Sequence, residues 1–292
     1  MGAQGVGSSG RQHSSISTSQ LFRSTLAKRA VTTQFVLTPS PIITQAVASA
    51  GADSICIDLE HGPIDFKDAQ AMIASTKGTK TLPMVRVPSI EAISVKRSLD
   101  LGAEGIMFPL ARCAGDVAQA VSTLRYPPQG ERGFGPFVAH SMHEFEFTGA
   151  VAHYSEHVPI SHVCWMRAMS RAAPDVLHAL CQSSSYVQLA QTVEALDNIH
   201  EIVAVDGVDV FQIAQFDLST ALGIPGQFSD PLFLDAERKV EEAILGRGIP
   251  LGAVALNRKR AAELQARGYR MIVGFDLLWL KAAVQDAQSW VH

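Results

Sequence analysis

The chain has 292 residues, of which 47% are hydrophobic and 18% are charged, and its formal net charge is −4. Disordered chains carry fewer apolar residues and a larger net charge, and nucleic-acid-binding proteins usually carry a basic excess, so this composition argues against both classes. Four cysteines are too few for a disulfide scaffold, and no apolar run reaches the roughly 18 residues of a membrane span. A barrel of eight strand–helix units takes about 250 residues, which leaves about 40 residues to explain.

The amino-terminal residues differ in composition from the rest of the chain. Residues 1–18 are rich in Gly, Ser and Gln and have no apolar periodicity, so we predict a disordered tail followed by one domain over 19–292. Leu21 and Leu26 favour a short helix packed under that domain. The first acidic residue is Asp53, and an acid-free segment with Ser and Arg is typical of a mitochondrial transit peptide. We prefer a flexible terminus on a cytoplasmic protein, with mitochondrial targeting as the alternative.

From residue 33 onward, apolar strand-like runs alternate with amphipathic helical stretches. Strands are predicted at 33–38, 53–59, 81–87, 105–109, 185–190, 208–213, 250–256 and 269–274. Helices are predicted near 41–50, 66–76, 89–102, 115–124, 192–205, 234–246, 258–268 and 276–289. Alternation predicts a parallel α/β fold, and eight units predict a closed (β/α)8 TIM barrel. An open doubly wound sheet is the runner-up, but no strand is followed by a glycine-rich dinucleotide-binding turn.

The segment at about 137–184 does not fit the alternation. It holds six of the ten histidines and two of the four cysteines. His153, His157 and His162 have roughly helical spacing, which raises the question of a metal site, but the spacing matches no zinc pattern. We therefore interpret the segment as an insertion or an irregular stretch at a subunit interface.

Polar residues follow the predicted strands at the points where the strands end. In a parallel barrel the active site lies at the carboxyl ends of the strands. The residues at these positions are Asp58, Glu60, His61, Arg86, Gln191, Asp217, Asn257 and Asp276. One histidine, one arginine and several carboxylates converging on one rim predict an enzyme site, although each residue alone has a structural explanation.

Five blocks of the sequence stand out, and they are IDLEHGPIDFKDAQAMI, MVRVPS, LDLGAEGIMFP, RYPPQGERGFG and FDLSTALGIPGQ. Together these blocks resemble the HpcH/HpaI aldolase/citrate lyase family of metal-dependent pyruvate aldolases. The resemblance runs from about Leu21 to Ala283, with a gap at 137–184. It implies a TIM barrel of the phosphoenolpyruvate/pyruvate-domain type, whose subunits exchange a terminal helix in dimers and often form hexamers. The implied activity is a carbon–carbon lyase that cleaves or forms 4-hydroxy-2-oxo acids from an α-keto acid and an aldehyde, with oxaloacetate decarboxylation as a related reaction.

The resemblance also implies roles for individual residues. A divalent cation (Mg²⁺, Mn²⁺ or Co²⁺) stabilises the pyruvate enolate, and Asp217 is one of its carboxylate ligands. Arg86 matches the arginine that assists this stabilisation and binds substrate, and His61 matches the acid–base histidine. Asp100 is expected to orient the histidine of a neighbouring subunit. Backbone amides at Phe216 and Asp217 are expected to hold the substrate carboxylate.

The sequence departs from the family pattern beside the predicted metal. The second ligand is a glutamate in the family, but the two ways of aligning this stretch place Gln191 or Ala190 there, and neither is a carboxylate. A glutamine oxygen can contact a hard cation, but the site loses a full negative charge. The usual Gly-Pro before the aspartate is replaced by Ala214-Gln215.

Three explanations of these departures stay open. The chain is a working lyase with a weakened metal site, a degenerate paralogue that keeps the barrel for binding or assembly, or a chain whose 137–191 stretch comes from a faulty gene reading. We favour the lyase, because His61, Arg86, Asp100 and Asp217 are all present.

Overall fold

A computed structural model describes residues 17–125, 127, 129–133, 135, 138 and 185–291. Its eight strands are β1 (Val31–Val36), β2 (Ser54–Asp58), β3 (Leu82–Arg86), β4 (Gly105–Phe108), β5 (Ser185–Ala190), β6 (Val210–Ile213), β7 (Leu251–Val254) and β8 (Met271–Phe275). The strands are parallel and pair in chain order, and β8 pairs with β1, so the sheet closes on itself. The predicted parallel α/β fold is confirmed, and the carboxyl ends of all eight strands lie on one rim.

Most helices in the described part of the chain connect consecutive strands and cover the outside of the sheet. They are α1 (Thr18–Leu26), α2 (Pro41–Ser49), α3 (Phe66–Ser75), α4 (Ala92–Asp100), α5 (Ala114–Leu124), α6 (Val193–Asp197), α7 (Ile199–Ile202), α8 (Gln215–Ala221), α9 (Pro231–Leu245), α10 (Arg258–Ala266) and α11 (Asp276–Gln288). The single helix predicted over 192–205 is wrong, because Asn198 leaves the helical conformation and separates α6 from α7. Helix α8 lies in a stretch predicted to be a loop.

Helix α1 closes the barrel at the amino-terminal ends of the strands. Phe22 and Leu26 pack into the cluster of buried side chains that fills the barrel interior. The helix is fixed to the strand starts by an ion pair from Arg23 Nε to Asp209 Oδ1 (2.8 Å) and by the Ser19 N–H, which donates to Glu104 Oε2 (3.2 Å). The predicted short helix under the domain is therefore confirmed.

The predicted tail extends two residues too far. Ser17 accepts a hydrogen bond from the backbone N–H of Gln20, and the Gln20 side chain accepts one from the backbone N–H of Ser17. This reciprocal pair caps the helix, so Ser17 and Thr18 belong to α1 rather than to a tail. Residues 1–16 lie outside the described residues.

Two apolar clusters hold the barrel together. The inner cluster fills the barrel with alternate strand residues such as Phe35, Met84 and Met107, and the outer cluster packs the other strand face against the helices. Because both faces of the strands are covered, the site must lie on the rim or in the outermost layer of the interior. Among the described residues, no helix is long and apolar enough to span a membrane.

The irregular segment at 137–184 lies outside the described residues, except for Val138. The suggestion of a metal site at His153, His157 and His162 falls entirely in this stretch, as does the interpretation as an insertion or interface segment. Both stay predictions.

Candidate active site

Strands β2 and β3 bring Asp58 and Arg86 together at the rim. These two residues end their strands and are direct partners in the parallel register. Arg86 Nε donates to Asp58 Oδ1 (2.8 Å) and Arg86 Nη2 donates to Asp58 Oδ2 (2.6 Å), and both side chains are buried. A two-point pair fixes the plane of the guanidinium. The guanidinium carbon also lies 4.9 Å from the centre of the Phe35 ring, so the group is held from two sides.

The same aspartate shapes the loop that follows β2. Asp58 Oδ1 accepts hydrogen bonds from the backbone N–H groups of Glu60 (3.0 Å) and His61 (3.3 Å). The chain turns so tightly here that a Cβ atom on Gly62 would lie 2.4 Å from the carbonyl oxygen of Asp58. The EHG stretch is therefore built around one buried carboxylate, and any larger residue at Gly62 would push the loop away from it.

Glu60 adds a second carboxylate to the arginine. Its Oε2 atom lies 3.0 Å from Arg86 Nη1, and it is buried with no hydrogen-bond partner among the residues that the structure describes. Burial raises the pKa of Glu60, the charges of Asp58 and Asp217 raise it further, and those of Arg86 and His61 lower it. Burial lowers the pKa of Arg86, but the hydrogen bond and charge of Asp58 outweigh this and raise it. Arg86 stays charged, and Glu60 takes up a proton more readily than an ordinary glutamate does.

His61 lies at the open side of this cluster. Its side chain is 62% exposed, and its Nε2 atom lies 3.8 Å from Glu60 Oε2. The imidazole can therefore reach both solvent and a ligand placed above Arg86. Proton exchange with solvent needs such a position, so the geometry is compatible with acid–base work.

Gln191 and Asp217 form the other half of the rim. Gln191 follows β5 and is 3% exposed, and Asp217 lies in the first turn of α8. Gln191 Nε2 donates to Asp217 Oδ2 (3.2 Å), and Gln191 Oε1 accepts from the backbone N–H of Leu110 (2.6 Å). Of the two positions considered for the family glutamate, Gln191 is the one whose side chain the structure places against Asp217.

The two halves belong to one rim, although no hydrogen bond joins them among the described residues. Asp217 lies near enough to Glu60 for its charge to raise the Glu60 pKa. Phe216 and Asp217 are both exposed, on the solvent side of the strand ends. The described residues contain no group of three or more His, Cys, Asp or Glu side chains that could hold a metal ion.

Asp100 lies away from this rim. It ends α4, which runs back from the carboxyl end of β3 to the start of β4, so it is near the amino-terminal ends of the strands. Asp100 Oδ1 lies 3.4 Å from Arg132 Nη2, and burial raises the pKa of Asp100. Its expected contact with the histidine of a neighbouring subunit stays a prediction.

Sequence reasoning named Asp58 and Glu60 as rim residues but gave them no role. Both contact Arg86. The strand register could have predicted the contact of Asp58, because Asp58 and Arg86 end adjacent parallel strands and face each other. Glu60 lies two residues beyond β2, so the register does not predict its contact. The hydrogen bond from Leu110 to Gln191 left no signal in the sequence.

The chain is similar to known proteins in sequence and in fold. The family model described as HpcH/HpaI aldolase/citrate lyase matches residues 32–283. The chain belongs to this family. It is 32% identical over 223 residues to the 4-hydroxy-4-methyl-2-oxoglutarate aldolase of Chaetomium globosum, covering 76% of this chain and 74% of that protein. It is 30% identical over 250 residues to the 5-keto-4-deoxy-D-glucarate aldolase of Shigella dysenteriae, covering 84% of this chain and 86% of that protein.

Solved structures give the same family and fold. An HpcH/HpaI aldolase/citrate lyase family protein from Burkholderia cenocepacia superimposes with a TM-score of 0.78 and 27% identity, covering 93% of this chain and 98% of that one. A more distant fold match, with a TM-score of 0.50, 17% identity and coverage of 85% and 92%, is the citrate lyase beta subunit of M. tuberculosis complexed with oxaloacetate and magnesium. The family match and the aldolase relatives support carbon–carbon lyase activity for this HpcH/HpaI family chain.

Proposed function

We propose that this chain is a carbon–carbon lyase of the phosphoenolpyruvate/pyruvate-type TIM barrels that cleaves or forms 4-hydroxy-2-oxo acids. The α-keto acid and aldehyde would bind on the carboxyl-terminal rim, and oxaloacetate decarboxylation is the related reaction of the same site. The observation that carries this proposal is the Arg86 guanidinium, fixed by Asp58 at the rim position where an enolate would form.

Arg86 would stabilise negative charge in this reaction. Cleavage next to a carbonyl leaves an enolate, and a donor fixed in advance lowers the energy of that charge without reorganising. The two-point pair with Asp58 occupies Nε and Nη2, so a ligand would contact Arg86 at Nη1, beside Glu60 Oε2, which lies 3.0 Å from that nitrogen. Asp58 is therefore a positioning residue.

His61 would move the proton. Cleavage of a 4-hydroxy-2-oxo acid removes the proton of the 4-hydroxyl, and the enolate carbon is later protonated. His61 is exposed and lies beside Glu60, so it can take the hydroxyl proton and exchange it with solvent. We also propose that the backbone amides of Phe216 and Asp217 hold the substrate carboxylate. We propose that Asp100 orients the histidine of a neighbouring subunit.

The expected cofactor is a divalent cation (Mg²⁺, Mn²⁺ or Co²⁺), and a magnesium complex of a fold relative supports such a cation in this group of proteins. Hard cations prefer several anionic oxygens. Here Asp217 offers a carboxylate, but the neighbouring Gln191 turns its nitrogen toward that carboxylate. The residues present therefore do not fit a resident cation, and the roles proposed for Arg86 and His61 use only groups of the chain itself.

Turnover of a substrate panel tests the proposed function. We expect pyruvate release from at least one 4-hydroxy-2-oxo acid or from oxaloacetate, measured with Mg²⁺, Mn²⁺ or Co²⁺ and without added metal. The Arg86→Leu variant is the control for background decarboxylation in solution. Absence of turnover across the whole panel would reject the lyase and favour the alternative, a non-catalytic barrel used for binding or assembly.

We also propose that the chain is a homo-oligomer built from dimers, with a hexamer as the larger assembly. Helix α11 supports this, because Asp276 is its only buried residue, while Leu277, Trp279, Leu280 and Val284 are 43–59% exposed. Such a contiguous apolar surface is typical of a protein–protein interface.

Charged substitutions on α11 test the oligomer. We expect the double variant Leu277→Asp/Leu280→Asp to sediment at a smaller mass than the wild type, because two buried carboxylates would oppose association. Gln265→Asp, on the exposed surface of α10, is the control. Equal masses for the wild type and the double variant in analytical ultracentrifugation would contradict the proposed interface.

The remaining proposals concern organisation and location. We propose the single catalytic domain predicted from the sequence over 19–292, with its start moved to Ser17 because Ser17 caps α1, and with an interruption by the segment at 137–184. We propose a cytoplasmic location, and mitochondrial targeting is the alternative because the sequence has no acidic residue before Asp53. Fluorescent fusions of the whole chain and of residues 17–292 distinguish the two locations.

A further inference from the structure

We propose that Gln191 keeps this chain without a resident divalent cation, so that a cation binds only together with a 2-oxo acid. This inference rests on the proposed function, because it takes the 2-oxo acid as the ligand of the rim. It concerns the order and coupling of binding, which the family assignment does not determine.

The orientation of the Gln191 amide is fixed by its surroundings. Gln191 Oε1 accepts the backbone N–H of Leu110 at 2.6 Å. The opposite orientation would place the amide NH2 group against another N–H donor and would leave both groups unsatisfied in a buried place. Leu110 holds this N–H in position with a φ of +55°, and it is the only non-glycine residue with positive φ in the described part of the chain.

In this orientation the NH2 group of the amide, which cannot bind a cation, faces Asp217. Gln191 Nε2 donates to Asp217 Oδ2 at 3.2 Å, so the hydrogens of the amide face the carboxylate. A cation bound to that carboxylate would be next to the positive end of the amide dipole. A glutamate at this position would instead accept the Leu110 N–H with one oxygen and present its other, anionic oxygen to the cation.

The two described carboxylates beside Arg86 do not compensate for the missing charge. Asp58 accepts hydrogen bonds from Nε and Nη2 of Arg86, and Glu60 Oε2 lies 3.0 Å from Nη1 of the same arginine. The positive guanidinium also opposes a cation placed between Glu60 and Asp217. Asp217 alone is a weak site, because affinity for hard cations increases with the number of anionic ligands.

A bound 2-oxo acid would supply the anionic oxygen ligands that the protein lacks. Its carboxylate and keto oxygens form a chelating pair and bring a negative charge, and together with Asp217 they offer three oxygens. The cation and the 2-oxo acid then increase each other's affinity by the same factor. The chain would therefore load its cation as a complex with substrate rather than before it.

The experiment measures Mn²⁺ binding by isothermal titration calorimetry and by electron paramagnetic resonance, without and with oxalate as a stable dianion that resembles an enolate of pyruvate. For the wild type we expect no saturation below about 1 mM Mn²⁺ alone and at least ~10-fold tighter binding with oxalate. For Gln191→Glu we expect binding about 100-fold tighter than in the wild type without oxalate. Gln265→Glu adds the same charge on an exposed face of α10 and should bind Mn²⁺ as the wild type does.

Three results would overturn the proposal: micromolar Mn²⁺ binding by the wild type alone, no binding even with oxalate, or equal affinities for Gln191→Glu and Gln265→Glu when both are folded. If Gln191→Glu does not fold, the two wild-type measurements still decide. Failure of the proposed function shows separately, as absence of turnover across the substrate panel.

Discussion

Replacing Arg86 with lysine should lower kcat/KM for carbon–carbon cleavage by about 100- to 1000-fold. Lysine keeps the positive charge but has a single nitrogen, so it cannot hold both oxygens of Asp58 and still direct a fixed N–H toward the substrate. The loss should appear mainly in kcat, because the interaction with the enolate is made in the transition state.

The control is Arg238→Lys, because Arg238 pairs with Asp235 and Glu242 on an exposed face of α9. Steady-state pyruvate release should be unchanged in that variant. Unfolding in urea should confirm that Arg86→Lys is folded under the conditions of the assay. If folded Arg86→Lys keeps its activity within a few-fold of the wild type, the guanidinium geometry has no role in catalysis.

Replacing Glu237 with alanine should reduce the free energy of unfolding by about 2–3 kcal/mol. Glu237 is 1% exposed and pairs with Arg267 Nη2 (2.6 Å) and Arg260 Nη2 (3.2 Å) from the neighbouring α10 region. Removing it leaves a cavity beside the two arginines, which then keep ion pairs only with Glu263 and Glu241 among the described residues. The expected loss is below the value for fully buried pairs because both arginine side chains are about one third exposed.

This substitution should also affect the site, because Gln215 Nε2 donates to Glu237 Oε1 (3.4 Å) and Gln215 begins the helix that carries Asp217. Urea unfolding monitored by circular dichroism measures the stability. The matched control is Glu242→Ala on the same helix, whose exposed side chain pairs with Arg238 at 4.0 Å and should contribute less than about 0.5 kcal/mol. Equal losses in the two variants would show that the buried pairing contributes nothing.

The alternation of apolar runs was enough to predict the strands and most of the helices. Strands buried on both faces appear as short continuous apolar runs, whereas helices covered on one face place apolar residues every three to four positions. These two patterns are distinguishable in the sequence. Helix α8 escaped prediction because seven residues are too short for a helical period to show. The break at Asn198 was not predicted, because the apolar pattern of two short consecutive helices resembles that of a single longer helix.

The sequence was enough to name the residues of the rim, but not to predict which of their side chains contact one another. Rim positions follow from the strand ends, which is why His61, Arg86, Gln191 and Asp217 were named from the sequence alone. The alignment could not choose between Gln191 and Ala190, because a shift of one residue at the end of a strand changes which side chain follows it into the site. The choice depends on the backbone N–H of Leu110, in a different loop. Every residue except proline offers the same backbone donor, so the sequence does not mark this one.

Helix α1 limits where a protease could shorten this protein. Its first turn already bonds to Glu104 through Ser19, and its second turn carries Phe22 into the barrel interior. Removal of residues up to 16 would leave every one of these contacts in place. A cut a few residues further on would remove the helix cap. A cut beyond Phe22 would open the barrel interior to water at the end opposite the active site. We therefore expect a stable shortened form of the protein to begin at or before Ser17.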